Sequence, residues 1–163
     1  MKRNNNAFSL IELMVVIAIV AILAAVAIPS YRNYIIKSKI TEIITVLSSQ
    51  KDIFIEAYET TGSFASSGTR IGFDSSTWTS HSAPNILETR WEYDDTNNMV
   101  SIRARADTSV GVGDTNNQLA FAWKLNNGIW QPSCGPWTTA NGISTDYLPA
   151  SCTTMVKTTL GFE

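Results

Sequence analysis

Two sets of residues in this sequence have types and spacing that could do chemistry. One is a glutamate, Glu12, set inside the apolar stretch FSLIELMVVIAIVAILAAVAI; the other is a pair of cysteines, Cys134 and Cys152, with 17 residues between them. A carboxylate in an apolar helix needs a cation or hydrogen-bond donors, because burying it unpaired is expensive. If the protein is cut between Ala7 and Phe8, the new amino terminus supplies that cation one helical turn away, at i to i+4. Identical helices packed side by side would then pair Glu12 of one with the Phe8 amine of the next only at a fixed axial offset, which makes the pair a register device. The cysteines lie in a tail rich in Trp, Gly and Pro, with no CxxC spacing and no flanking histidine. A disulfide, and with it an oxidising compartment, is the first reading, and two buried free thiols are the second. Closing a loop of this size contributes about 3 kcal/mol in the polymer-entropy picture of disulfides.

Other residues promise less. His81 is the only histidine and sits in a Ser/Thr-rich stretch, so a Ser/His/Asp arrangement would have to converge on one loop position; the protein does not read as an enzyme. Asp107 and Asp114 flank TSVGVG, but their spacing does not fit a calcium loop of the EF-hand type, and surface acids in a Gly-rich turn are the better reading; no metal and no cofactor are expected. Arg103 and Arg105, with Arg90 or Lys124, could form a basic strip for DNA backbone contacts. A solvated strand face looks the same, and the net charge of −2, from 12 basic and 14 acidic residues, does not support DNA as a partner. The aromatic residues Phe8, Tyr31, Tyr34, Phe54 and Tyr58 along one helix are explained by packing.

The elements that must position Glu12 begin with the N-terminal segment. With 163 residues, 44% hydrophobic and 16% charged, the protein has room for one modest domain plus one unusual segment. Leu13 to Ile28 is an uncharged run, extended to 21 residues when Phe8 to Glu12 are counted. A secretory signal would use Lys2 and Arg3 as its basic start, but the apolar run is long for one, and Glu12 sits where that run should begin. A simple membrane anchor explains the hydrophobicity and leaves Glu12 as a cost, about 2.5–3.5 kcal/mol at a bilayer centre and less toward the end. Cleavage before Phe8 gives Glu12 a function.

The residues AFSLIELMVVIAIVAILAAVAIPSY resemble the N-terminus of type IV prepilins over about 30 positions. The resemblance implies a leader at 1–7 removed by a prepilin peptidase after Ala7, N-methylation of Phe8, and Glu12 as the glutamate that directs assembly. Ala7 stands where the family usually has Gly, and Ala21 where many members have a helix-weakening Gly. The resemblance further implies identical copies in a helical filament, inner-membrane assembly machinery, minor pilins, and membrane lipid before assembly. It places the N-terminus in the cytoplasm, the precursor in the bacterial inner membrane and the filament outside the cell. Charge alone is ambiguous there, since Arg32, Lys37 and Lys39 follow the apolar run. A minor pilin or a type II secretion pseudopilin is the alternative within the family, although pseudopilins that carry calcium in place of a disulfide lack this cysteine pair. A signal-anchored extracytoplasmic binding domain is the alternative of another class.

The remainder is expected to be α+β. Pro29 lacks an N–H and bends a helix rather than ending it, because helical periodicity resumes directly afterwards. Residues 8–30 form the hydrophobic part and 31–60 the amphipathic part, with Tyr31, Ile35, Ile36, Ile40, Ile43, Ile44, Leu47, Phe54 and Tyr58 at three- and four-residue steps. A loop at 61–88 precedes the sheet and disulfide loop of 89–163. Alternation marks strands through Leu87, Thr89, Trp91, Tyr93; through Val100, Ile102, Ala104; and through Leu119, Phe121, Trp123, Leu125. NNG at Asn126 to Gly128 turns into a fourth strand around Ile129 to Gln131. The expected fold is a long helix bent at Pro29 and packed on a four-stranded antiparallel sheet, with a C-terminal loop closed by the cysteines.

Overall fold

The computed structural model describes residues 9–64, 77–80, 83–115, 117–154 and 156. Residues 1–8, which include Ala7 and Phe8, and residues 65–76, 81 and 82 of the loop expected at 61–88, which include His81, lie outside the described residues. The protein divides after Ile35 into two compact units.

The first unit holds the start of helix α1, Leu10–Ser49. Over an 18-residue window its mean hydropathy is 3.0 and none of the window is buried within the protein, so it is long and apolar enough to cross a membrane. Leu10 is 75% exposed and Val26 71%. Pro29 lies inside α1, which continues past it as expected. Its missing N–H leaves the Ala25 carbonyl without its helical donor. One turn on, the Ser30 hydroxyl donates to the Val26 carbonyl at 3.1 Å.

In the second unit the helix turns amphipathic. Ile40, Ile43 and Leu47 are fully buried, whereas Tyr31 and Tyr34 remain about two-thirds exposed, so the buried stripe starts later than the sequence periodicity places it. A single turn residue, Gln50, itself in the helical region (φ −74, ψ −12), separates α1 from α2, Lys51–Thr61. The Ser48 and Ser49 hydroxyls donate to the Thr45 and Val46 carbonyls at 2.9 and 2.8 Å, and the Gln50 N–H reaches back only three residues to Leu47. Hydroxyl groups that compete in this way for backbone carbonyls loosen a helix. Gly62 closes α2 in the left-handed region (φ 71), donating to the Tyr58 carbonyl at 2.7 Å.

The sheet is antiparallel and has five strands, not four, in the order β1 (Thr79–Ser80), β2 (Ile86–Asp94), β3 (Met99–Ala106), β4 (Gln118–Asn126) and β5 (Ile129–Pro136). The additional strand, β1, is two residues long and pairs with Thr89 and Glu88. So short a segment shows no alternation in sequence. A register shift between Ile86 and Glu88 corrects a second expectation: Ile86, 4% exposed, takes the core position assigned to Leu87, which is 50% exposed. β5 continues past Gln131 to Pro136 because it is an edge strand, where Pro132 and Pro136 leave no donor unpaired.

The core lies between the amphipathic helical residues and one sheet face. Ile40, Ile43 and Leu47 pack with Trp91, Val100, Ile102, Ala104, Leu119 and Trp123. Phe54 stacks on Phe64 and Trp91 at centroid distances of 5.8 and 5.3 Å. Each large side group buried this fully contributes about 1.5–3 kcal/mol.

Candidate functional site

Glu12 is the one charged residue in the exposed apolar part of α1. Its Oε2 accepts from the Ser9 N–H at 2.9 Å, while the Glu12 and Leu13 N–H groups donate to the Ser9 carbonyl at 3.1 and 3.2 Å. This is the reach-back half of a capping box: the residue at the third helical position satisfies a backbone donor that the helix start leaves open. Charge alone points Glu12 toward an amine and misses this contact. The signal for the cap is Ser-x-x-Glu ahead of an apolar run. Among the described residues this carboxylate accepts one backbone hydrogen bond, and Glu12 remains exposed.

The two cysteines form a disulfide, with Cα atoms 4.4 Å apart. Cys134 lies in β5 and Cys152 ends a short 3₁₀ turn, Ala150–Cys152, so the bond ties the tail to the sheet edge. The Thr154 N–H donates to the Cys134 carbonyl at 3.1 Å. The tail passes so close to β5 that a Cβ on Gly135 would meet the Thr154 carbonyl oxygen at 1.9 Å. Gly135→Ala is expected to lower stability by about 2–3 kcal/mol, because the obstruction is backbone and cannot rotate away; the denaturation midpoint of the purified protein checks this.

On the other sheet face the structure departs from the solvated basic strip. Arg103 is 7% exposed. It pairs with Glu92, Arg105 pairs with Glu88, and Arg90 lies 3.4 Å from Glu92. The Arg103 guanidinium sits 4.2 Å from the Trp137 ring centroid and 5.4 Å from that of Trp78, and Arg105 stacks on Trp78 at 4.2 Å. The result is a ladder of alternating rings and cations, neutralised by two carboxylates. Burial draws the Arg103 guanidinium down from its ordinary value, with the Glu92 charge opposing. Trp137 also packs with Ala120, Ala122 and Val156 in a second small cluster. No local pattern announces this layer, since Trp78, Arg103 and Trp137 meet only through the sheet. Arg103→Met is expected to cost about 2–3 kcal/mol by leaving Glu92 short of a cation and removing both ring contacts. Urea denaturation followed by indole emission reads the loss.

Asp107 is a turn cap: its carboxylate accepts from the Ser109 N–H at 2.8 Å, and the Ser109 hydrogen bonds hold it below the usual carboxylate range. Asp114 lines an open cleft with Leu87, Arg105, Thr108 and Asn141, and Asp107 is not part of that lining.

A helix with an apolar, exposed start and an antiparallel sheet with a disulfide-tied tail define an α+β protein. Residues 2–28 match the prokaryotic N-terminal methylation motif, and residues 36–153 match the family described as pilin, a bacterial filament protein. The sequence is similar to a fimbrial protein of Neisseria meningitidis serogroup A, 32% identical with 89% of this sequence and 92% of that one covered. A Pseudomonas aeruginosa fimbrial protein is 30% identical, covering 89% and 94%. The type IV major pilin protein PilE of Neisseria gonorrhoeae is 31% identical, covering 89% and 92%. The chain belongs to the type IV pilin family.

Proposed function

We propose that this protein is the structural subunit of a type IV pilus, polymerising through its N-terminal helix into a surface filament. The observation that carries the reading is the apolar start of α1, left unburied and interrupted by a single carboxylate. The leader, residues 1–7, is removed by a prepilin peptidase after Ala7, and the Phe8 amine is methylated. In the filament, Glu12 exchanges its backbone partner for the Phe8 amine of a neighbouring copy, which fixes the axial stagger. Pro29 bends the helix between the part that enters the filament core, residues 8–30, and the part that carries the sheet.

Before assembly the precursor sits in the inner membrane with its N-terminus in the cytoplasm, and lipid covers the same apolar surface that neighbouring helices cover later. Moving from lipid to a helical bundle exchanges one apolar environment for another, so the assembly machinery supplies little net hydrophobic free energy per subunit. Minor pilins join the same fibre, and the fibre serves adhesion, twitching motility or DNA uptake. Arg90, Arg103 and Arg105 contribute to the outer wall through their carboxylate partners.

The test is the intact mass of protein sheared from the cell surface. A polypeptide beginning at Phe8, heavier by one methyl group and gaining two hydrogens on reduction, supports the reading. A full-length polypeptide retained in the membrane, or one cut near Ala27, overturns it.

A further inference from the structure

We infer that Asn127, at the tip of the β4–β5 hairpin, is a self-modifying site that the protein's own backbone converts to an acidic residue, whereas Asn141, in the other Asn–Gly pair, is protected by the fold. The chemistry needs only water. The Gly128 amide nitrogen, once hydroxide has taken its proton, attacks Cγ of Asn127. A ring C–N bond forms, the bond from Cγ to the Asn127 amide nitrogen breaks, and ammonia leaves a five-membered succinimide. Water then opens the ring at either carbonyl to give aspartate or isoaspartate, adding one negative charge. Asparagine is among the chemically labile residues for this reason.

The two pairs share a sequence and differ in structure. Asn127 and Gly128 are both exposed, at φ 50 and φ 80, in the two-residue turn closed by Asn126 and Ile129. Among the described residues the Gly128 N–H makes no hydrogen bond, and a Cβ placed on the exposed Gly128 would meet nothing within 4 Å, so no neighbouring segment crowds the turn at this residue. Asn127 must leave the left-handed region for its Cγ to reach that nitrogen. Opening the tip exposes little, since Ile129 is already 66% exposed.

At the second pair the attacking nitrogen is occupied. The Gly142 N–H donates to the Thr138 carbonyl at 2.8 Å, and Gly142 is buried. The Asn141 carbonyl accepts from the Gln118 N–H at 2.9 Å, and the Ile143 N–H returns to the Gln118 carbonyl at 3.0 Å. A Cβ on Gly142 would lie 2.4 Å from both Pro136 Cβ and the Thr138 oxygen, so the segment has no room to rotate. Succinimide closure here requires detaching the segment from β4.

Aspartate fits the left-handed position, whereas isoaspartate adds a backbone methylene to a turn that has two residues. The biological consequence rests on the filament reading: assembled subunits gain charge with age. The chemistry does not depend on that reading, because the readout is the mass of the purified protein whether or not it polymerises.

The full-length protein, kept in mild detergent at mildly alkaline pH, is sampled over weeks by peptide mass mapping. Asn127 is expected to gain about one dalton at least about tenfold faster than Asn141, a ratio set by the free energy of opening each segment. In urea the two rates are expected to converge. Asn141 keeping pace in the folded protein overturns the inference, as does an Asn127 that converts in urea but not in the folded protein.

Discussion

Replacing Glu12 with Ala is expected to remove filaments from the cell surface while the folded subunit stays at its normal level in the membrane. Glu12 lies in the first unit and makes no part of the core under the sheet, so the packing of that core is expected to be unaffected. Locally the substitution costs one hydrogen bond, from the Ser9 N–H, of about 1 kcal/mol. Between subunits, on the register mechanism proposed above, it would leave a buried ammonium without its carboxylate, about 3–5 kcal/mol for each contact. A loss of that size lowers each association constant by more than about a hundredfold, and the loss recurs at every added subunit. Glu12→Gln keeps the shape and a hydrogen bond but not the charge, so it is expected to behave much more like Ala than like Glu. Weighing the sheared fraction against the membrane fraction reads both variants. Normal filament numbers in either would mean that the carboxylate does not set the register.

The second large effect is at the disulfide. Replacing Cys134 and Cys152 together with Ser is expected to lower the stability of the folded unit by about 3 kcal/mol, from the restored freedom of a loop spanning a sequence separation of 18. The loss should appear first at the sheet edge. Both cysteines belong to the main core, and the Thr154 N–H depends on the Cys134 carbonyl for its partner. Amide exchange at Thr154 is therefore expected to speed up before that at Ile102 or Ala104, which lie in the central strand. Uniform exchange across the sheet would contradict the role of the bond as a clamp on the tail.

Most of the fold was legible because its signals are local. The alternation through Ile102 and Ala104 and through Leu119 and Trp123 marks a face that is buried as expected, and NNG supplies the hairpin with its positive-φ residues. What was not legible depends on distant partners or on single-residue irregularities. Leu87 keeps a perfect alternation with Thr89 and Trp91, yet one register shift turns it outward and puts Ile86 in the core. β1 exists only because β2 is there to pair with it. Arg103 reads as a solvent-facing residue in a strand with alternating polarity, and no local rule brings Trp78 and Trp137 over it. Periodicity likewise gives no sign of the one-residue interruption at Gln50, where the Ser48 and Ser49 hydroxyls take backbone carbonyls. At the candidate site Glu12 stood out from its cost in an apolar segment, and the structure added the Ser9 cap, which charge alone does not reveal.

The most direct test of the register mechanism is a helical reconstruction of the purified filament at atomic detail. The mechanism predicts α1 helices packed along the filament axis, with each Glu12 carboxylate within ion-pair distance of the Phe8 amine of an adjacent copy. A filament in which Glu12 keeps only the Ser9 N–H, with the Phe8 amine held elsewhere, would contradict it.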